Sequence, residues 1–377
     1  MGIHDQYGLT RIINARGTYT PLGVSRSDGR IAAVVAEALG EFFVMAELQD
    51  VASGVISGVT GAEAGAVVHC TSSGLTLSVA AAMAGDSAER VAALPDSSGM
   101  PAHVVLPAGH AVDYGHPLVQ DIRLAGATPV PAGTVAECTV ADLEEALAHP
   151  DTACLLLVSS RLVRGADIPL AEAVAAAHRR GVPVVVDGAA QDLRVGELLA
   201  TGADLVLVSG QKYLGSPTAG LVMGRAGMVR AVRAQEKGIG RAMKASKEAV
   251  LGVLAALQVR QELDLDAWRR AQEDKAVRFA ERAGALPGLD ATLALDPTGL
   301  PFSRVRLTVD PSRAGRDAAA LAVALQSGSP QIWVMTEERE GAQGEPVLEL
   351  VLELVPLTGA EIDVVLDRLA AALVPGV

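Results

Sequence analysis

The feature that most constrains the fold is an alternation, between about residues 103 and 224, of short apolar runs with Ala-rich helical stretches. Two runs are the clearest. Pro183-Val-Val-Val-Asp187 is apolar at every inner position and stops on a carboxylate. Ala203-Asp-Leu-Val-Leu-Val-Ser209 leads directly into Gly210-Gln-Lys212-Tyr-Leu-Gly215. A strand with no polar face cannot border water, so it belongs in a parallel sheet covered by helices on both sides. Strands are expected at 103–106, 128–131, 154–159, 183–187, 204–209 and 220–224. The helix expected at 169–180 ends on His178-Arg-Arg-Gly181, with cations in its last turn and then a glycine. Repeated β-α-β units of this kind form a mostly parallel, doubly wound sheet with right-handed crossovers.

The flanks read differently. Residues 1–30 are rich in turn formers and are expected to be an ordered arm. A large domain spans 31–250, with helical patterns at 31–58 and 74–85. Residues 228–263 read as long helix, broken at Lys237-Gly-Ile-Gly240. A smaller α+β domain fills 251–377, with strands at 303–309 and 347–354, exposed loops within 312–345 and a closing helix at 358–373. At 377 residues the chain can bury two cores.

Hydrophobic residues make up 50% of the chain and mean hydropathy is +0.33. No apolar run approaches the ~18 residues of a membrane span, so none is expected. The apolar load is Ala, Val and Leu, with aromatics at 3%. That suits an Ala-rich α/β protein with some apolar surface left for contact between subunits. A net charge of −13 argues against an extended nucleic-acid surface. The N-terminus has no signal-peptide pattern. Cys70, Cys138 and Cys154 show neither metal nor disulfide spacing, which points to a cytoplasmic protein with reduced thiols and no metal.

In open α/β sheets, ligands bind beyond the carboxyl ends of the strands, where Asp187 and Lys212 stand. Alone, Asp187 is a helix cap and Lys212 a solvated loop cation. Together they are what pyridoxal phosphate requires. The amine condenses with the cofactor's aldehyde, and the carboxylate keeps the pyridine nitrogen protonated so that the ring accepts electrons. Cys70-Thr-Ser-Ser-Gly-Leu-Thr76 lies between an apolar strand, 66–69, and an apolar helix. It offers hydroxyls and N–H groups at a helix start. Ser72, Ser73 and Gly74 are assigned to the cofactor phosphate, joined by Ser209; an ordinary helix cap is the plainer alternative. His110 follows a strand and is either a ring-stacking residue or a polar loop histidine. Ser159 and Arg161 follow another strand and are assigned to substrate. Arg241 and Lys244 suit an anionic group, on the substrate or on a partner subunit's cofactor, or else a solvated helix face. Arg16 and Thr20, in the arm, are the last substrate candidates.

Several stretches carry a resemblance: Ile12-Ile-Asn14-Ala-Arg-Gly17, Leu22-Gly-Val-Ser25, Thr60-Gly-Ala-Glu63, Ser72-Ser-Gly74, Asp187-Gly-Ala-Ala190, Gly202-Ala-Asp-Leu-Val206, Ser209-Gly-Gln-Lys212 and Lys237-Gly-Ile-Gly-Arg-Ala-Met-Lys244. With these the chain resembles fold-type I pyridoxal phosphate enzymes of the selenocysteine synthase-like group, above all its D-glucosaminate-6-phosphate ammonia-lyase branch. The resemblance runs from about residue 8 to 260, and more loosely to the end of the chain. It implies a homodimer or larger assembly and a small amino acid or amino sugar acid as substrate. It also implies α,β-elimination to ammonia and a 2-keto-3-deoxy acid. Two local departures stand out: Gln191-Asp192 after Asp187, and Gln-Lys-Tyr around Lys212. Three alternatives stay open. A racemase or epimerase would need a second acid, for which Tyr213, His110 and Cys70 are candidates. A selenium transferase would need tRNA, which the acidic charge disfavours. The third is a non-catalytic cofactor-binding protein.

Overall fold

The structure, a computed structural model, describes residues 2–340 and 345–373. Residues 341–344 of the expected loop region, and the last residues of the expected C-terminal domain, lie outside that set. Thirteen strands occur among the described residues: β1 (Ile12–Asn14), β2 (Ala64–Val68), β3 (His103–Pro107), β4 (Thr128–Ala132), β5 (Thr152–Val158), β6 (Val184–Asp187), β7 (Leu205–Ser209), β8 (Gly220–Gly224), β9 (Leu289–Leu295), β10 (Ser303–Val309), β11 (Gln331–Trp333), β12 (Met335–Glu340) and β13 (Pro346–Leu352). Contacts along the chain separate two compact units, Ser27–Glu262 and the segments on either side of it.

The larger unit holds a seven-stranded sheet in the order β2-β8-β7-β6-β5-β3-β4. The strands from β3 to β7 run parallel, and β8 is antiparallel to both of its neighbours. Alternate residues of the apolar runs feed two cores. Val184, Val186, Val206 and Val208 pack with the helices Met45–Thr60 and Lys247–Glu262 on one face. Val185, Leu205 and Leu207 pack with the helices Thr71–Ala84 and Ala226–Ala234 on the other.

Helix Thr71–Ala84 is buried almost all round. Two glycines let it approach the sheet. A Cβ on Gly74 would meet Val222 at 3.2 Å and Val68 at 3.3 Å. A Cβ on Gly220, at the start of β8, would lie 2.5 Å from the Cys70 carbonyl and 2.8 Å from the Thr71 nitrogen. Gly220 therefore fixes where the amino end of this helix sits over the sheet.

The second unit carries an antiparallel sheet, β12-β13-β10-β9, with β1 paired in parallel to β11. Its grouping differs from the expected arm and domain boundaries for two reasons. The strand β1 takes its hydrogen bonds from β11, which ties the first residues to the C-terminal unit. Helix Lys247–Glu262 buries Val250, Val253 and Leu257 in the core of the larger unit. Two helical stretches are also more broken than expected. The segment 40–44 separates helix Gly29–Leu39 from helix Met45–Thr60, and two short 3-10 turns, Gln235–Lys237 and Ile239–Ala242, interrupt 226–262. No described helix is long and apolar enough to cross a membrane.

Candidate active site

Strands β5, β6 and β7 end side by side, and Asp187 is in register with Val158 and Leu207. Asp187 is buried, and one carboxylate oxygen accepts the Ala189 N–H at 3.0 Å. Burial pushes its carboxyl up to about 6. The Lys212 cation and the Ala189 N–H pull it down, and the charge of Asp121 adds to the rise. Such a carboxyl gains strongly from a cationic partner set against it.

Lys212 is half-buried in a turn that leaves β7. The turn is closed by Gly210 N–H to the Ala219 carbonyl at 2.9 Å and by Ser216 N–H to the Gly210 carbonyl at 2.8 Å. It is also tethered from outside. Arg260 donates from one terminal nitrogen to the Tyr213 carbonyl at 2.7 Å and to Asp192 Oδ2 at 2.9 Å. The departure at Asp192 thus has a structural role, as the anchor for the arginine that grips the lysine turn.

The amino end of helix Thr71–Ala84 faces the same end of the sheet. The Ser73 N–H donates to Cys70 Sγ at 3.5 Å, and the Gly74 N–H donates to the Cys70 carbonyl at 2.9 Å. Ser72 Oγ donates to Asp121 Oδ1 at 2.7 Å. Gly74 therefore has a packing role and no spare donor, and the Ser72 hydroxyl proton is committed to the Asp121 carboxyl. The Thr71 hydroxyl, which sequence reasoning did not single out, is buried with no hydrogen-bond partner among the described residues. An orphaned hydroxyl beside the unpaired first N–H groups of a 14-residue helix is a site that a phosphate completes. With Asp187 and Lys212, this donor set fits pyridoxal phosphate.

His110 is buried after β3, and its Nδ1 accepts the Val158 N–H at 2.8 Å. The ring's proton is therefore on Nε2. Burial lowers its pKa to about 4 against the pull of Asp167, so the ring is neutral at pH 7. Ser159, half-buried, donates its N–H to the Asp187 carbonyl at 2.8 Å. Ser209 is buried and donates its N–H to the Ala189 carbonyl at 3.0 Å. Arg161 lies exposed beyond the same strand ends. The structure thus brings together Asp187, Lys212, Ser209, Ser159 and His110, near the helix start.

A second group went unread in the sequence. The Tyr114 hydroxyl donates to Asp121 Oδ2, and His116 Nε2 lies 3.5 Å from Asp121 Oδ1. Burial raises both Asp121 and Tyr114 above their usual ranges; bonds from Tyr114 and Ser72 counter the rise at Asp121, while the bond to Asp121 adds to it at Tyr114. Tyr114 also feels the charge of Asp187. The available signal was Asp121 itself, a carboxylate on the same helical face as buried Leu118 and Ile122.

Arg241 and Lys244 stand apart. They line a cavity of about 600 Å³ with Lys237, Arg230, Arg233 and Glu236, on the outer side of β2, and neither Asp187 nor Lys212 lines it. Arg233 pairs with Asp50 and Arg230 with Asp86, so Lys237, Arg241 and Lys244 supply its unpaired charge among the described residues. Lys244 forms a β-bridge with Val68, and the Met243 carbonyl accepts the His69 N–H at 2.9 Å, close to the start of helix Thr71–Ala84. Arg16 and Thr20 belong to the other unit, where the Arg16 guanidinium lies 4.0 Å from the Tyr19 ring centroid and Thr20 opens a short turn.

The family described as SelA, L-seryl-tRNA selenium transferase, matches residues 48–272. A 5'-C-glycyluridine monooxygenase-decarboxylase of Streptomyces sp is 39% identical over 338 residues, 88% of this chain and 83% of that protein. A D-glucosaminate-6-phosphate ammonia lyase of Salmonella typhimurium is 35% identical over 332 residues, 88% of each. A solved structure of D-glucosaminate-6-phosphate ammonia-lyase matches with a TM-score of 0.87 over 99% of this chain and 98% of that one, at 32% identity. A Sphingomonas wittichii serine palmitoyltransferase, at 18% identity and a TM-score of 0.59 over 96% of this chain and 86% of that one, shares the fold. The chain belongs to the selenocysteine synthase-like family of fold-type I pyridoxal phosphate enzymes.

Proposed function

We propose that this chain is a pyridoxal phosphate-dependent ammonia-lyase. Its substrate is a 3-hydroxy amino acid or 2-amino sugar acid, and its products are ammonia and a 2-keto-3-deoxy acid. The observation that carries the reading is the buried Asp187 carboxyl, raised by burial and facing Lys212 across adjacent strand ends. The likeness to D-glucosaminate-6-phosphate ammonia lyase along most of both chains supports the elimination.

In this reading the amino end of helix Thr71–Ala84, with Thr71, Ser73 and Ser209, holds the cofactor phosphate. His110 would lie beside its ring, Asp187 would hold the proton at its ring nitrogen, and Lys212 would bind its aldehyde carbon. When bound, the cofactor takes up the electron pair left on the substrate's α carbon. Lys212 Nζ would be the base that removes the substrate's α proton. It then gives that proton to the β-hydroxyl, which leaves as water. The released enamine hydrolyses to the keto acid and ammonia. Ser159 and Arg161 orient the substrate. Arg241 and Lys244, apart from Asp187 and Lys212 in their own chain, take an anionic group of the partner subunit's site.

The reading includes a cytoplasmic homodimer or larger assembly. Leu39, Phe42, Phe43, Val44 and Met45 are exposed together, Phe42 completely, and Met45 also lines the Arg241 cavity. A contiguous apolar patch of this kind marks a contact surface. Phe42→Asp is expected to lower the mass seen in sedimentation; an unchanged mass would place the contact elsewhere.

A second reading has one observation in its favour, the 39% identity to a monooxygenase-decarboxylase. A panel of D- and L-3-hydroxy amino acids and sugar amino acids, phosphorylated or not, separates the two. Ammonia and keto acid in equal amounts, without oxygen uptake, are expected. Oxygen uptake with release of carbon dioxide would move the chain to the second reading. Deuterium wash-in with inversion and no ammonia would make it a racemase.

A further inference from the structure

At the amino ends of β3 and β5, on the side of the sheet away from Asp187 and Lys212, three donor residues converge. His103 is the first residue of β3, and His149 and Asp151 lie in the turn just before β5. One ligand atom from each lies within 4.8 Å of the others. The two imidazole centroids are 4.4 Å apart, with the ring planes at 40°. We propose that these side chains form a binding site for a divalent transition-metal ion.

The backbone around the group is fixed independently of any ion. His103 donates its N–H to the Asp151 carbonyl at 2.8 Å. Thr152 donates its N–H to the His149 carbonyl at 3.1 Å and its hydroxyl to the same oxygen at 2.8 Å. The Asp151 N–H donates to His149 Nδ1 at 3.2 Å, which puts that ring's proton on Nε2, so the ring binds an ion by turning and giving up this bond. The three Cα positions are therefore held, and only side-chain rotation separates the present arrangement from coordination. Ligands on bonds of ~2.1 Å stand roughly 3 to 3.5 Å apart in a tetrahedral site, so the required closure is small. Burial does not explain the grouping, because His149 and Asp151 are exposed.

Two imidazoles and one carboxylate are the donor set of zinc, nickel, cobalt and copper ions. Calcium and magnesium prefer oxygen ligands and are not expected to bind here. Three protein ligands leave the remaining positions to water. The ion would clip the turn before β5 to the start of β3, and so stabilise the larger unit by mass action.

The test is calorimetric titration of the cofactor-loaded protein with zinc chloride and with nickel chloride, paired with thermal melts. One ion per chain is expected, with a rise in the melting temperature that saturates at that ratio. His103→Gln and His149→Gln should each weaken binding at least about tenfold. Asp151→Asn should weaken it less, because an amide oxygen is still a ligand. Metal-free melts and lyase turnover should match the parent in all three. Absence of binding would overturn the proposal. So would binding that survives in the double histidine variant, since the ion would then sit elsewhere, for example at Cys70 or Cys138.

Discussion

Both compact units bury charge, and the clusters around Arg304 and Asp187 treat it in opposite ways. In the C-terminal unit Arg304 is buried between Asp296 and Glu353, while Arg306, Arg339 and Thr308 converge on Glu349. Burial pushes the Asp296 carboxyl up, but the bonds from Thr298 and Arg304 hold it below the usual range. Burial pushes on Glu349 too, and Thr308, Arg339 and Arg306 outweigh it. Around the carboxyl ends of β5, β6 and β7 in the larger unit the balance is reversed. Asp187, Asp121 and Asp192 are all raised, because burial exceeds what their partners return. Charge that is neutralised where it stands is architecture. A buried carboxyl left short of positive charge marks where a ligand completes the site.

The largest expected effect falls on the cation facing that deficit. Lys212→Ala should lower turnover by at least about a thousandfold. In the parent, borohydride should fix the cofactor to Lys212, and peptide mapping checks this. A label on another lysine would remove Lys212 from its role, and with it the contrast between the units.

Next comes the compensated side. Arg304→Met leaves Asp296 and Glu353 buried without their shared cation, so a loss of about 3 to 5 kcal/mol is expected in urea unfolding. A loss below about 1 kcal/mol would mean that this cluster is no better balanced than the site.

Asp187 sharpens the comparison through pH. In the cofactor-free chain its folded pKa of about 6 lies above the ordinary value of 3.8, so the folded state binds the extra proton. The stability this group contributes is full below about pH 3.8 and is lost as pH rises through about 6. The difference is about 3 kcal/mol. Asp187→Asn cannot ionise. Its melting temperature should therefore gain on the parent's by roughly 5 to 10 °C between pH 4 and 7. The loaded variant should also exchange the substrate α proton about 100-fold more slowly. Parallel melting profiles would show that the Asp187 carboxyl is already compensated within the chain.

The two units were also unequally legible. The strands β6 and β7 are legible because burial on both faces is written as uninterrupted apolarity, and the places of Asp187 and Lys212 at the ends of those runs are legible with them. The strand β10 was read at its true limits for a related reason, its alternation of Val305 and Leu307 with Arg304 and Arg306. The reversal of β8 was hidden because Gly220-Leu-Val-Met-Gly224 carries no mark of chain direction. The pairing of β1 was hidden because its partner, Gln331–Trp333, is three residues long and remote in sequence. Tyr114 and Asp121 were missed because the case for them rests on Ser72, a contact that only the fold creates. Arg241 and Lys244 read as one basic motif with the site, whereas the fold gives them a cavity of their own.

The smallest predicted effect tests the residue that lies between the two treatments of charge. Asp192 has a cationic partner and is still raised: burial dominates, and Arg260 lowers it only in part. The reason is geometric. The arginine nitrogen that bonds Asp192 Oδ2 also bonds the Tyr213 carbonyl, and Asp192 Oδ1 has no hydrogen-bond partner among the described residues. Arg260 therefore trades part of its pairing for a hold on the Lys212 turn. Removing it with Arg260→Met should leave the core of the helix Lys247–Glu262 intact, because the methionine keeps the apolar stem. It should loosen the turn, lowering kcat about tenfold with little change in KM, since lysine placement matters to proton transfer more than to substrate binding. A merely structural arginine would lower the melting temperature and leave kcat alone. A positioning arginine also moves the pH midpoint of the cofactor's visible absorption band, because the Lys212 nitrogen no longer sits at one distance from Asp187. Arg260→Lys should restore part of that midpoint, since an ammonium can reach one of the two acceptors but cannot span both. If kcat and the absorption midpoint are both unchanged in Arg260→Met, the Asp192 and Arg260 pair belongs with the compensated charges of the other unit, and the line between architecture and site runs between Asp192 and Asp187.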